Sequence, residues 1–141
     1  ESDEAFQALS RMAAAAQAED GRGAIVVERA RGDFPSLVSN ARLSISQGGY
    51  NTTMEVMRAQ VPTVIVPYAA KAETEQTLRA ELLQARGLLH VVPQAGLTPQ
   101  ALAAACDVAT RPAADPATPL DTDGGPATAR LVTDLAAGRQ V

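Results

Sequence analysis

The sequence predicts an α/β protein, a Rossmann-like parallel sheet flanked by helices, on three observations. From Leu43 onward, apolar β-rich runs and amphipathic stretches alternate in the order β-α-β-α-β-α, the order of a doubly wound sheet. The run Thr63-Val64-Ile65-Val66-Pro67 is too short and too β-branched for a helix, and it is apolar on both faces as a central parallel strand is. The helical stretches carry their own punctuation, with Gly87 closing one and Thr98-Pro99 opening the next.

Taken in order, about Asp3 to Ala18 is an alanine-rich helix with Phe6, Leu9 and Met12 on one face, ended by Asp20-Gly21. Ala24 to Glu28 is a short β-rich run. Asp33 caps a brief helix with Pro35 in its first turn and Leu37 and Val38 directed inward. Strand Leu43 to Ser46 leads through a glycine turn into a helix that ends near Ala59, before Val61-Pro62. After the central run, a loop from Tyr68 to Glu73 feeds a helix from about Thr74 to Ala85, where Gly87 supplies the left-handed terminator. Leu88 to Val92 is a further strand, followed by a helix from Pro99 to about Ala109. Residues 110–125, rich in Pro, Asp and Thr, read as a linker. A final helix, from Pro126 to about Ala137 within 126–141, presents Leu131, Val132 and Leu135 on one side, to pack on the domain or on a separate element. The expected organisation is thus one α/β domain over 1–109, a linker and a C-terminal helix.

Composition narrows the function classes. The chain is 46% apolar and 20% charged, and with 3% aromatics and no Trp its core must be Ala, Val, Leu and Ile. A net charge of -4 with a pI near 4.9, and basic residues scattered among the acids, argue against a nucleic-acid surface. The sole cysteine, Cys106, lies in an apolar run and reads as a buried inert thiol, without metal-ligand spacing. No stretch approaches the roughly 20 apolar residues of a membrane span, and Glu1-Ser2-Asp3-Glu4 has the wrong charge for a signal peptide. The expected compartment is the cytoplasm, with peripheral attachment at the inner membrane face as a variant. The only histidine, His90, falls in a strand and reads as structural; no Ser/His/Asp arrangement or metal centre is suggested.

Chemistry concentrates at Q-G-G-Y-N-T-T-M-E, Gln47 to Glu55. Gly48 and Gly49 let the backbone approach a ligand and take positive φ. Asn51 or Thr52 then caps a helix whose free N–H groups and dipole favour a phosphate. Glu55 follows one turn in, where a carboxylate accepts hydrogen bonds from the two ribose hydroxyls. Two adjacent glycines alone would mark a plain strand-to-helix turn, with Glu55 a solvated helix carboxylate, more often than a ligand site. The second loop adds Tyr68 and Lys71, and like Tyr50 they stand at the carboxyl ends of strands, where such sheets hold ligands. At its end Glu75 and Gln76 set a carboxylate and an amide at a helix start, suited to vicinal sugar hydroxyls but also to a simple acidic first turn.

The run S-I-S-Q-G-G-Y-N-T-T-M-E, then R-A-Q-V-P-T-V-I-V-P-Y, then E-T-E-Q-T-L-R-A resembles the C-terminal donor-binding domain of GT-B glycosyltransferases. The likeness is closest to the family 28 type that includes the peptidoglycan GlcNAc transferase and a group of bacterial predicted glycosyltransferases. It extends to the UDP-glucuronosyl and plant glycosyltransferases, in which His-x-Gly-x-Asn-Ser-x-x-Glu precedes an acidic-Gln pair, and it covers about residues 25–109. The resemblance implies that Gly48, Gly49, Asn51 and Thr52 lie against a donor diphosphate, with Tyr50 beside them, that Glu55 takes the ribose hydroxyls, and that Glu75 and Gln76 meet the transferred sugar. Gln47 stands where some of these families have His, replacing a ring contact to the phosphate by an amide.

The resemblance further implies the C-terminal half of a GT-B fold, N-terminally truncated, whose partner is an acceptor domain or a separate subunit supplying the catalytic base. On this reading the isolated chain has no transferase activity by itself. The substrate is a nucleotide-diphosphate sugar, a UDP-sugar first among them, with no cofactor and no metal. The alternative is a non-catalytic nucleotide-sugar binding module, or a subunit active only with a partner chain, as in eukaryotic GlcNAc transferases split over two chains; an epimerase of the same architecture is a third.

Overall fold

The computed structural model describes residues 2–20, 24–69, 74–112 and 118–139. The chain divides into two compact units, Glu1–Phe34 and Pro35–Val141. In the first, α1 (Asp3–Asp20) opens on Asp3 and Glu4, charges that suit the positive end of the helix dipole. Of its described side chains Ala13 is buried, while Leu9 and Met12 are exposed. Arg29 lies over the Phe6 ring at 4.5 Å and pairs with Asp3 at 2.5 Å. Ala24 to Glu28, expected to be β-rich, forms no strand. A strand exists only through a ladder partner, and among the described residues this run has none. Arg31 grips both carboxylate oxygens of Asp33 at 2.9 and 2.8 Å and reaches Glu28 at 2.8 Å. That bidentate hydrogen bonding holds the Asp33 carboxyl below its ordinary value and the Arg31 guanidinium above its own. Asp33 is thereby committed to Arg31 rather than serving as the expected helix cap.

At the boundary between the units, α2 (Phe34–Ser39) has Pro35 in its first turn as expected. Val38 is buried but Leu37 is exposed, so the short helix turns one apolar side chain inward, not two. Three parallel strands follow, β1 (Ser44–Ser46), β2 (Thr63–Ile65) and β3 (His90–Val91), in the order β1-β2-β3. Their register pairs Ile45 with Val64 and Val64 with His90. The ladder extends through Val66 N–H to the Ser46 carbonyl at 2.8 Å and Val92 N–H to the Ile65 carbonyl at 2.9 Å. All three strands are shorter than the sequence suggests; Pro67, with no N–H, helps to end the central one. As expected, β2 is central and buried along its whole length.

Between the strands run α3 (Tyr50–Ala59) and α4 (Glu75–Ala85), and α5 (Pro99–Ala109) follows a 3₁₀ turn at Gln94–Gly96. The core gathers Val56 of α3, Val64 and Ile65 of β2, Ala80 and Leu83 of α4, and Leu89 and Val92 around β3. Each such aliphatic side chain contributes about 1.5–3 kcal/mol when fully buried. Gly87 takes φ +71 after α4, and Thr98 accepts the Ala101 N–H at 3.0 Å ahead of Pro99, so both helix boundaries read from the sequence are present. Cys106 is half-buried on α5, more open than expected. The last helix, α6 (Gly124–Ala136), begins two residues before Pro126, which occupies its first turn. None of its residues is buried, and Leu131, Val132 and Leu135 stand exposed. Of the expected linker, residues 113–117 lie outside the described residues; Thr118 to Asp121 line an open cleft of about 520 Å³ with Arg86 and Leu88. No helix among the described residues is long and apolar enough to cross a membrane.

Candidate functional site

The carboxyl end of β1 turns into α3 through Gln47, Gly48 and Gly49. The two glycines are there for different reasons. Gly48 is buried, adopts φ +77, and a Cβ on it would stand 2.7 Å from Ile65 Cγ2. No L side chain fits that position without strain and a clash with the central strand. Gly49 has φ -54 and ψ 148, open to any residue, and a Cβ there would meet nothing within 4 Å. The fold requires glycine at Gly48 and not at Gly49.

Gly49 is also the N-cap of α3, and no side chain makes a capping bond. This corrects the expectation that Asn51 or Thr52 caps the helix: both lie inside its first turn, because the extended Gly49 supplies the first helical carbonyl, accepting the Thr53 N–H at 2.9 Å. The N–H groups of Tyr50, Asn51 and Thr52 precede that first bond and so have no intrahelical acceptor. They are aligned with the positive end of the helix dipole, which is what an anion needs. Glu55 lies four residues beyond Asn51 and three beyond Thr52, so it shares their face, and helical side chains lean back toward the N-terminus. It is half-buried and makes no hydrogen bond or ion pair among the described residues. Next to the open turn, Thr53 is fully buried and its hydroxyl has no partner. Gln47 and Asn51 are exposed, Thr52 half-buried.

The second turn, after β2, is built differently. The Tyr68 N–H donates to Gln76 Oε1 at 3.4 Å and the Ala69 N–H to Gln94 Oε1 at 3.1 Å. Residues 70–73, and with them Lys71, lie outside the described residues. Thr74 is the N-cap of α4 without a side-chain capping bond. Glu75 at the helix start is exposed and ion-paired with Arg79 one turn on; Gln76 is half-buried.

Arg79 is the residue that reading the sequence misses. Its side chain is only 17% exposed, its Nη1 donates to the Gly48 carbonyl at 3.1 Å, its Nη2 meets Glu75, and its guanidinium lies 5.4 Å from the centre of the Tyr50 ring. One guanidinium therefore joins the glycine turn, the first residue of α3 and the start of α4. The Glu75–Arg79 spacing of i,i+4 is the local signal that could have found it; the reach to Gly48 has none. Among the described residues no three His, Cys, Asp or Glu side chains come together as a metal site requires. His90 sits half-buried in β3 opposite Val64, in the strand position read from the sequence.

Residues 24–124 match the glycosyltransferase family 28 C-terminal domain. The chain is 34% identical over 107 residues to the UDP-N-acetylglucosamine--N-acetylmuramyl-(pentapeptide) pyrophosphoryl-undecaprenol N-acetylglucosamine transferase of Allorhizobium ampelinum, covering 74% of this chain and 29% of that protein. It is 37% identical over 71 residues to the transferase of the same name from Agrobacterium fabrum, covering 50% of this chain and 19% of that protein. The chain thus spans less than a third of the length of these curated relatives. Among solved structures it is similar to the glycotransferase of kitacinnamycin, with 24% identity and a TM-score of 0.48 over 72% of this chain and 22% of that one. With the family match running from before α2, through both turns, to the first residue of α6, the chain belongs to the glycosyltransferase family 28 C-terminal domains.

Proposed function

We propose that this domain holds the donor of a glycosyl transfer, a nucleoside diphosphate sugar, across the carboxyl ends of β1 and β2. The observation that carries the reading is the start of α3: three backbone N–H groups without intrahelical acceptors, reached over Gly49, whose absent side chain leaves the approach open. The diphosphate lies against these groups, with Gln47 and Tyr50 at its edge. Glu55, unpaired and leaning back toward the same helix start, accepts the two ribose hydroxyls. Gln76 and Glu75 take the hydroxyls of the sugar. The base is uracil: the relatives are named as UDP-N-acetylglucosamine transferases, and this domain is proposed to share their nucleotide.

Chemically, the domain serves the leaving group. As the acceptor oxygen attacks the anomeric carbon, the bond from that carbon to the β-phosphate oxygen breaks and negative charge grows on the departing nucleotide. Fixed N–H dipoles at a helix start stabilise that charge without reorganising, an effect that reaches about 3–4 kcal/mol for one well-placed donor in other enzymes. The acceptor and the base that takes its proton are assigned to parts of the protein other than this domain. Calorimetric titration with UDP, dTDP, GDP and uridine tests the donor site: UDP is expected to bind most tightly and uridine far more weakly. Absence of binding by all three diphosphates overturns it.

A further inference from the structure

The Gly48–Gly49 peptide is the least constrained link in the turn, because neither residue carries a side chain to resist its rotation. The Gly49 N–H comes immediately before the three N–H groups of the donor reading, so the orientation of this peptide decides whether a fourth joins them. In a trans peptide the carbonyl and the N–H point in opposite directions, so whatever holds the Gly48 carbonyl also sets where the Gly49 N–H points. The Gly48 carbonyl is held by Arg79, at 3.1 Å from Nη1, with the side chain 83% withdrawn from solvent by its 17% exposure. The partner of the second guanidinium arm, Glu75, is 74% exposed, and ion pairs with so exposed a carboxylate contribute little. The contact with Gly48 is therefore the consequential one. The Tyr50 ring lies 5.4 Å from the guanidinium, and the planar fork of Arg serves two acceptors at once in a way Lys does not.

We propose that Arg79 is the positioning residue of the donor site: by anchoring the Gly48 carbonyl it keeps the Gly49 N–H turned away from α4 and toward the diphosphate, so that the turn is set before the nucleotide arrives. The proposal rests on the donor reading above and deepens it. Arg79 acts through the backbone of the turn, and its charge adds a favourable field beside an anion that the Glu75 carboxylate would otherwise oppose.

The test compares the wild-type chain with Arg79→Ala and Arg79→Lys in three measurements. The first is UDP affinity, the second uridine affinity followed by chemical-shift titration, and the third the amide resonances of Gly48 and Gly49 without nucleotide. UDP affinity is expected to fall about tenfold in Arg79→Ala, equivalent to about 1.4 kcal/mol, while uridine affinity stays the same. The Gly49 amide is expected to shift and broaden in the free protein, and Arg79→Lys, which retains a donor and the charge, to recover part of both losses. Equal UDP affinity in wild type and Arg79→Ala overturns the positioning role and leaves the donor reading intact. A parallel fall for UDP and uridine, or an unmoved Gly49 amide, overturns it as well, since Arg79 then serves only the packing of α4. Failure of the wild-type chain to bind UDP removes the donor reading itself, and this proposal with it.

Discussion

The two strand-to-helix turns of the sheet end alike, each on a helix start without a side-chain cap, and differ in the loop that leads to it. After β1, the amides at the start of α3 are left without side-chain caps, the Gly48 N–H donates to Ser46 Oγ at 3.3 Å, and the Gly48 carbonyl is tied down by Arg79. After β2, the loop amides of Tyr68 and Ala69 are taken by Gln76 and Gln94, although α4 too starts without a side-chain cap. An amide held by a glutamine side chain is withdrawn from a ligand, and the difference between the turns lies in these loop amides. On the proposed donor reading, the first turn meets the diphosphate through its backbone, and the second meets the sugar through its side chains.

The largest effect that can break this contrast is at Gly48. Gly48→Ala combines a left-handed φ with a Cβ 2.7 Å from Ile65, and strain plus overpacking together predict a loss of about 2–5 kcal/mol of stability. Urea unfolding would show it as a lowered midpoint; an unchanged midpoint would mean that the turn relaxes freely and is not rigid in the way described. Next is Glu55→Ala, which should weaken UDP binding by about 1–3 kcal/mol through unpaired ribose hydroxyls, with no comparable loss against a nucleotide lacking both hydroxyls. Equal affinity in mutant and wild type would remove the ribose assignment.

Gly49→Ala separates ligand from fold. Its backbone angles accept alanine, but alanine is a poorer N-cap than glycine, so the entropic gain of about 0.4–1 kcal/mol is offset and stability should change by less than about 1 kcal/mol, while UDP affinity falls by about 1 kcal/mol because the added methyl occupies the approach. Paired unfolding and calorimetry would read both quantities; a fall in stability without one in affinity reverses the argument. Gln76→Ala should cost about 0.5 kcal/mol of stability, in keeping with a 3.4 Å hydrogen bond, and weaken a UDP-sugar while leaving UDP alone nearly unchanged. Parallel losses for both would place Gln76 in the nucleotide site.

The smallest effect serves as a control outside both turns. The Asp33 carboxyl lies below its ordinary value because Arg31 hydrogen-bonds it. A carboxyl whose folded pKa is depressed stabilises the fold above its unfolded value of about 3.9 and loses that contribution as pH falls through the lower folded value. An NMR titration should give Asp33 a midpoint below that of a model peptide, restored toward it by Arg31→Gln, with UDP binding at neutral pH unaffected.

Much of this architecture is legible in the sequence where the physics is local. The β-branched run at Thr63, the Thr98-Pro99 cap and the Gly87 terminator each depend on a few adjacent residues, and each is present. Ala24 to Glu28 misleads because β-propensity reports a willingness to pair and says nothing of a partner. Leu37 misleads for a related reason: amphipathic spacing marks a face able to bury, and Leu37 stays exposed, whereas the exposed stripe of α6 agrees with one of its two expected fates, packing on a separate element. At the site, the glycine pair is visible in the sequence, but the division of labour between Gly48 and Gly49 is set by Ile65, and the role of Arg79 by a contact across 31 residues. The cap of α3 is missed because an extended glycine backbone does a task for which polar side chains are the usual signal.

The contact between Gly48 and Ile65 carries a consequence for how such a domain can vary. Ile65 is among the most deeply buried side chains of the chain, so the floor of the turn is the core itself, with no intervening layer. Exchanging Ile65 for a differently shaped aliphatic residue would therefore reach the mouth of the site without touching any residue that faces it. Positions 48 and 65 are thus coupled by packing, so that a change in the interior fits only as far as the turn above can follow.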